Sequence, residues 1–137
     1  MAGKILLLNG PNLNMLGKRD PQVYGDITLN NVEEICKKLA KQNGLELESK
    51  QTNYEGQIVE LIHTARETSD AIIINPGAYS HTSIAIFDAL KDLVPYQKQF
   101  ALHWDDYCFE YYLLEKESFL QPFHLCFLEV RYKNRFH

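Results

Sequence analysis

The sequence predicts an α/β domain: a doubly wound parallel sheet with helices on both faces. Two continuous apolar runs with polar ends, Lys4-Ile-Leu-Leu-Leu-Asn9 and Ala71-Ile-Ile-Ile-Asn75, have the pattern of strands buried on both faces. Between and after them, apolar residues recur at helical spacing. The resulting order of strand, helix, strand, helix, strand, helix is that of a parallel sheet joined by crossover helices.

The elements follow in order. After the first strand comes a loop from Gly10 to Asp26, rich in Gly, Pro and Asn. Leu29, Val32, Ile35, Cys36 and Leu39 then mark a helix. Thr28 or Asn30 offers an N-cap, Asn30 with Glu33 has capping-box spacing, and Gly44 offers a C-cap. The pair Glu33-Glu34 reads as complementing the helix dipole in the first turn. Leu45 to Asn53 begins with apolar–polar alternation and predicts a strand. Gln57 to Glu67 places Ile58, Leu61, Ile62 and Ala65 on one helical face, with His63 toward solvent. Pro76-Gly77 stops the strand ending at Asn75. Thr82 or Ser83 then caps a third helix, with Ile84, Phe87, Ala89, Leu90 and Leu93 apolar.

With 137 residues the chain predicts a single domain, 1–137, long enough to bury a core. The formal net charge of −4 argues against nucleic acid as a partner, which selects for a basic face. Cys36, Cys108 and Cys126 are too few and too scattered for a disulfide framework or a zinc site. They predict buried, reduced thiols in a reducing compartment. The apolar run Ile5–Leu8 is too short for a signal segment or a membrane span, so the expected location is cytoplasmic with no membrane partner.

The pattern changes near residue 95. All seven glycines lie at or before Gly77, and twelve of the sixteen aromatic residues lie in 96–137. Residues 4–95 therefore read as the α/β core and 96–137 as an atypical, aromatic-rich tail. Gln99 to Trp104 offers a fourth strand and Asp106 to Lys116 a helix. One reading of the tail is a divergent edge of the same domain. The other is a segment replaced or translated out of the ancestral frame, because local consistency fails where it held before.

Ligands of doubly wound sheets bind beyond the carboxyl ends of the strands, so two loops carry the chemistry. The first, Asn9 to Gly25, presents an amide (Asn12), a guanidinium (Arg19) and a phenol (Tyr24). It reads either as a structural Ω-loop or as the seat of a tyrosine base. A phenol is protonated at neutral pH, but a fixed cation nearby favours phenolate, and Arg19 is five residues away. Abstraction of a proton next to a carbonyl needs such a base. The second loop, Asn75-Pro-Gly-Ala-Tyr-Ser-His-Thr-Ser83, offers Asn75 and His81 beside a helix start. His81 reads either as a packing or capping residue or as a ligand-binding one. No Gly-x-Gly-x-x-Gly or Walker pattern is present, and the five histidines lack metal-ligand spacing.

Read together, these stretches resemble the type II 3-dehydroquinate dehydratases. The resemblance rests on Asn9-Gly-Pro-Asn-Leu-Asn-Met-Leu-Gly17, Arg19-Asp-Pro-Gln-Val-Tyr-Gly25, Gln51-Thr-Asn-Tyr-Glu-Gly56, Ile73-Ile-Asn-Pro-Gly-Ala-Tyr-Ser-His-Thr-Ser83 and Ala85-Ile-Phe-Asp-Ala-Leu90. It implies a flavodoxin-like fold and a lyase that dehydrates 3-dehydroquinate to 3-dehydroshikimate in the shikimate or quinate pathway, without cofactor or metal. It implies Tyr24 as the base at C2, Arg19 as the cation that lowers the phenol's pKa, and Asn12 as an oxyanion-type partner. Asn75 and His81 would bind substrate oxygens. Asp88 would reach a neighbouring subunit's site in a homododecamer of trimers.

The resemblance covers residues 4 to about 95. Family members continue with a strand ending in Glu-x-His, whose histidine protonates the leaving hydroxyl, then a carboxylate-binding Ser/Thr-Asn and an arginine segment. Here the stretch reads Gln97-Lys-Gln-Phe-Ala-Leu-His103-Trp-Asp-Asp-Tyr, with His103 about two positions late and the upstream glutamate missing. The alternatives to an active lyase are a folded, catalytically impaired member and a different flavodoxin-like module that binds FMN or receives a phosphoryl group. The last lacks both the acidic cluster and the Ser/Thr-rich phosphate loop it needs.

Overall fold

The computed structural model describes residues 3–20, 22 and 25–93, and the backbone of 99–102. Tyr24, His103 and the rest of the tail, including the helix expected over 106–116, lie outside the described residues.

Four strands form one parallel sheet: β1 (Lys4–Asn9), β2 (Glu46–Gln51), β3 (Ala71–Asn75) and β4 (Gln99–Leu102), in the spatial order β2-β1-β3-β4. Both apolar runs form central strands with the expected bounds. Ile5, Leu7, Leu8 and Ile72 to Ile74 are almost completely buried, as continuous β-branched and leucine runs require. β2 is shorter than the Leu45–Asn53 expectation: its paired residues are Glu46–Gln51, and the Thr52 N–H, which donates to the Asn9 carbonyl (3.0 Å), makes the last bond to β1. It is one of the two outer strands of the described sheet and alternates exposed Glu46, Glu48 and Lys50 with half-buried Leu47, Ser49 and Gln51.

Helices cover both faces. α1 (Leu29–Gln42) buries Val32, Cys36 and Ala40 against Ile5, Leu7, Ala71 and Ile73 on one side. On the other, α2 (Glu55–Thr68) and α4 (Ile84–Lys91) bury Ile58, Ile62, Ala65, Ile86, Ala89 and Leu90 against Leu6, Leu8, Ile72 and Ile74. A single-turn helix, α3 (Tyr79–Thr82), precedes α4. His63 is exposed, as expected, and Cys36 is a buried thiol.

The helix ends decide one alternative and correct two expectations. Thr28, not Asn30, caps α1: its Oγ1 accepts from the Asn31 N–H (3.1 Å) and Asn31 Oδ1 accepts from the Thr28 N–H (3.0 Å), a reciprocal capping box. Asn30 instead donates to Glu34 Oε1, four residues on (3.3 Å). With Leu29 as the first helical residue, Glu33 and Glu34 fall past the first turn, which holds no acidic residue. The C-terminus matches expectation. Gly44 takes φ 70°, its N–H donates to Lys41 O (3.2 Å) and that of Leu45 to Ala40 O (2.9 Å), the pair of bonds of a Schellman cap.

The third expected helix starts at Ser83, but its buried stripe is Ile86, Ala89, Leu90 and Leu93. Ile84 and Phe87, two of the five apolar residues read on this helix, are 83% and 38% exposed. Ser83 fixes that phase. Its Oγ accepts from the Ile86 N–H (3.0 Å) and donates to Glu55 Oε1 (2.7 Å), tying the start of α4 to the start of α2. Ser83→Ala is expected to lose the cap and a charge-assisted bond together, about 2 kcal/mol, read as a lower urea midpoint with unchanged slope.

Candidate active site

The strand order reverses between β1 and β3: the connection from β1 leads outward to β2, and that from β3 leads the other way, to β4. Such a switch point opens a crevice at the carboxyl ends of the two strands. Three loops meet there: the described residues from 10 onward after β1, 52–54 after β2 and 76–83 after β3.

Close backbone contact holds the first and third loops together. The Gly10 N–H donates to the Asn75 carbonyl (2.7 Å). A Cβ on Gly10 would stand 2.6 Å from the Pro76 carbonyl oxygen, so only glycine fits. Asn75 Oδ1 accepts from the Gly77 N–H (3.1 Å), which closes the turn after β3 from within and fixes the Asn75 amide at the crevice.

Asn12 occupies the left-handed region at φ 67°, a conformation asparagine tolerates better than most residues. Its N–H donates to Asn53 Oδ1 (3.0 Å), and its side chain is exposed at the loop's crest. A 3-10 turn, Leu13–Met15, follows, and the Arg19 N–H donates to Met15 O (3.1 Å). Arg19 is half-buried. The structure therefore places Asn12, Arg19 and Asn75 on loops joined at one edge of the sheet. His81, on α3, is exposed beside them, its N–H held by Ala78 O (3.1 Å). Asp88 stands one turn into α4, on an exposed face with Ile84, Phe87 and Lys91; the Lys91 ammonium lies 5.6 Å from the Phe87 ring centre.

Sequence reasoning missed the residues that organise this edge. Gln51 Nε2 donates to Gly10 O (3.1 Å) and Asn53 Oδ1 (3.1 Å), and Tyr79 Oη donates to Asn53 O (3.1 Å). Gln51 and Asn53 thus link all three loops. Their position at the end of β2 is the available signal, but neither carries an ionisable or nucleophilic group. Among the described residues no three His, Cys, Asp or Glu side chains are grouped to hold a metal ion. A groove lined by Lys4, Glu46, Glu48 and Ser69 lies at the opposite, amino-terminal end of the strands. Asn12, Arg19, Asn75, His81 and Asp88 do not border it, and sheets of this kind bind at the other edge.

A doubly wound sheet whose polar loops converge on the β1–β3 switch point defines an α/β protein of the class that binds its ligands at the carboxyl edge of the sheet. Comparison with known proteins makes this specific. The dehydroquinase class II family model matches residues 3–98, and the chain belongs to that family. The chain is 62% identical over 86 residues to catabolic 3-dehydroquinase 2 of Neosartorya fischeri, covering 63% of this chain and 57% of that protein. It is 53% identical over 91 residues to 3-dehydroquinate dehydratase of Corynebacterium glutamicum, covering 66% and 63%. The crystal structure of type II dehydroquinase from Butyrivibrio crossotus superposes with a TM-score of 0.69 at 38% identity, over 74% of this chain and 69% of that one. The chain thus spans about three-fifths of the length of these curated relatives.

Proposed function

We propose that this chain is a hydro-lyase that converts 3-dehydroquinate to 3-dehydroshikimate. The observation that carries the reading is the crevice edge itself: Asn12, Arg19 and Asn75 sit on hydrogen-bonded loops at the β1–β3 switch point of a dehydroquinase class II chain. Tyr24, on the Arg19 loop, takes the C2 proton as phenolate, and the electron pair moves onto the ketone oxygen as an enolate. The Asn12 amide faces that oxygen directly or through a water. Collapse of the enolate expels the hydroxyl β to the carbonyl, which leaves as water once protonated. Asn75 and His81 hold substrate oxygens. Adding 3-dehydroquinate should produce the absorbance of the conjugated enone; a flat trace from folded protein counts against the reading.

A second reading is a folded chain that binds substrate but turns it over poorly. It is favoured by the stretch from Gln97 to His103, which lacks the Glu-x-His of the family pattern, and by the end of the family match at residue 98. A missing general acid costs about 10²- to 10⁴-fold in rate. Calorimetric binding without enone formation would select this reading. For residues 96–137 we propose a replaced or out-of-frame origin, tested by resequencing codons 90–100.

The assembly we propose is a homododecamer of trimers in the cytoplasm, with Asp88 reaching a neighbouring subunit. The exposed Ile84, Phe87 and Asp88 on one face of α4 support it, and light scattering tests it. No described helix is long and apolar enough to cross a membrane.

A further inference from the structure

The last residues of β2, β1 and β3 carry three amides in one row: Gln51 pairs with Asn9, and Asn9 with Asn75. Registered partners in a parallel sheet point to the same side. The lower rungs of this ladder confirm the side, since Ile5 and Leu7 share a core with their partners Ala71 and Ile73 under α1. Asn9 is therefore the middle of a polar row at the crevice, flanked by an amide that braces the loops and one that faces the site.

Its neighbours are partly committed. Gln51 Nε2 bonds Gly10 O and Asn53 Oδ1, and Asn75 Oδ1 accepts from the Gly77 N–H with one lone pair still available. The main chain of Asn9 is also in use, its carbonyl accepting from the Thr52 N–H (3.0 Å). The side chain differs. Asn9 is 3% exposed, yet its Nδ2 is buried with no acceptor among the described residues. Folded proteins tolerate few such donors, and each calls for a physical reason. A purely structural position between Leu8 and Gly10 would be filled at lower cost by an apolar side chain of the same size.

We propose that Asn9 is a positioning residue of the crevice. When ligand occupies the site, Asn9 Nδ2 donates to the second lone pair of Asn75 Oδ1. With that oxygen held by Asn9 and Gly77, the Asn75 amide can turn only its own Nδ2 toward the ligand's oxygen. The inference rests on the proposed role of Asn75 as a substrate contact.

Asn9→Leu keeps the branching and number of side-chain heavy atoms and removes the orphaned donor, so its melting temperature should equal or exceed that of the unaltered chain. Its affinity for 3-dehydroquinate, read by calorimetry, should fall about tenfold, the value of one well-placed hydrogen bond. Asn9→Asp, which presents an acceptor in the same shape, should lose as much. In an Asn75→Leu background Asn9→Leu should have no further effect on affinity, because the two act through one contact. A lowered melting temperature for Asn9→Leu, unchanged affinity in Asn9→Leu and Asn9→Asp, or losses that add with Asn75→Leu would each overturn the inference while leaving the proposed function standing. Failure of the unaltered chain to bind 3-dehydroquinate would overturn both.

Discussion

Tyr24→Phe is expected to reduce turnover of 3-dehydroquinate at least 10²-fold, and up to about 10⁴-fold, while changing substrate affinity only a few-fold. The substitution removes one oxygen and leaves the ring, so an effect on rate alone identifies a proton-transfer group. The physical case begins with Arg19. Its main chain is held by Met15 O in the turn that follows the 3-10 segment of the first loop, and its half-buried side chain ends in a planar guanidinium suited to holding an anion. We propose that this cation favours the phenolate of Tyr24, five residues on in the same loop. Enone absorbance gives kcat and calorimetry gives affinity. Equal turnover by the variant and the unaltered chain would remove Tyr24 from the chemistry.

Gly10→Ala is expected to be the most damaging small substitution, costing about 3 kcal/mol and impairing ligand binding together with stability. The added Cβ would meet the oxygen, carbon and Cα of Pro76 at 2.6, 2.7 and 3.0 Å, all of them main-chain atoms that cannot rotate away. Relief requires the first and third loops to separate. That breaks the Gly10 N–H bond to Asn75 O and loosens the Gln51 bond to Gly10 O. Gly56→Ala makes the control. It lies in the first turn of α2 with nothing within 4 Å of the place an added methyl would take, and should be neutral or stabilising by about 0.5 kcal/mol. Urea unfolding of the two variants separates a packing clash from a general intolerance of methyl groups.

The sequence reveals those parts of the fold where one physical demand dominates. β1 and β3 are central strands, and burial on both faces leaves no choice but an unbroken apolar run with polar ends. The buried face of α4 is not legible in the same way, because Ile84, Phe87 and Leu90 satisfy helical spacing as well as Ile86, Ala89, Leu90 and Leu93 do. Only the phase set by Ser83 and its bond to Glu55 decides between them. The cap of α1 is ambiguous in sequence for a similar reason, two overlapping side-chain spacings separated only by where the helix begins.

At the candidate site, Asn12, Arg19, Asn75 and His81 are legible as candidates because they occupy the two loops that follow the central strands. Asp88 is marked only by family resemblance, since nothing local distinguishes a carboxylate on an exposed helix face. Gln51 and Asn53 are marked only as members of the Gln51–Gly56 stretch that carries the resemblance, with no role attached to either. Their function is to hold other residues' main-chain groups, and amides that brace loops leave no chemical signature in the sequence.

The charge pattern of β2 carries one more consequence. An outer strand offers unpaired main-chain groups to any passing chain, and growth along such a flank is a common start of aggregation. Glu46, Glu48 and Lys50 project from this one on the solvent side, with Lys50 Nζ 3.2 Å from Glu48 Oε1. A foreign strand docking there would have to strip water from that charged row, so the flank that closes the sheet on this side also discourages its extension.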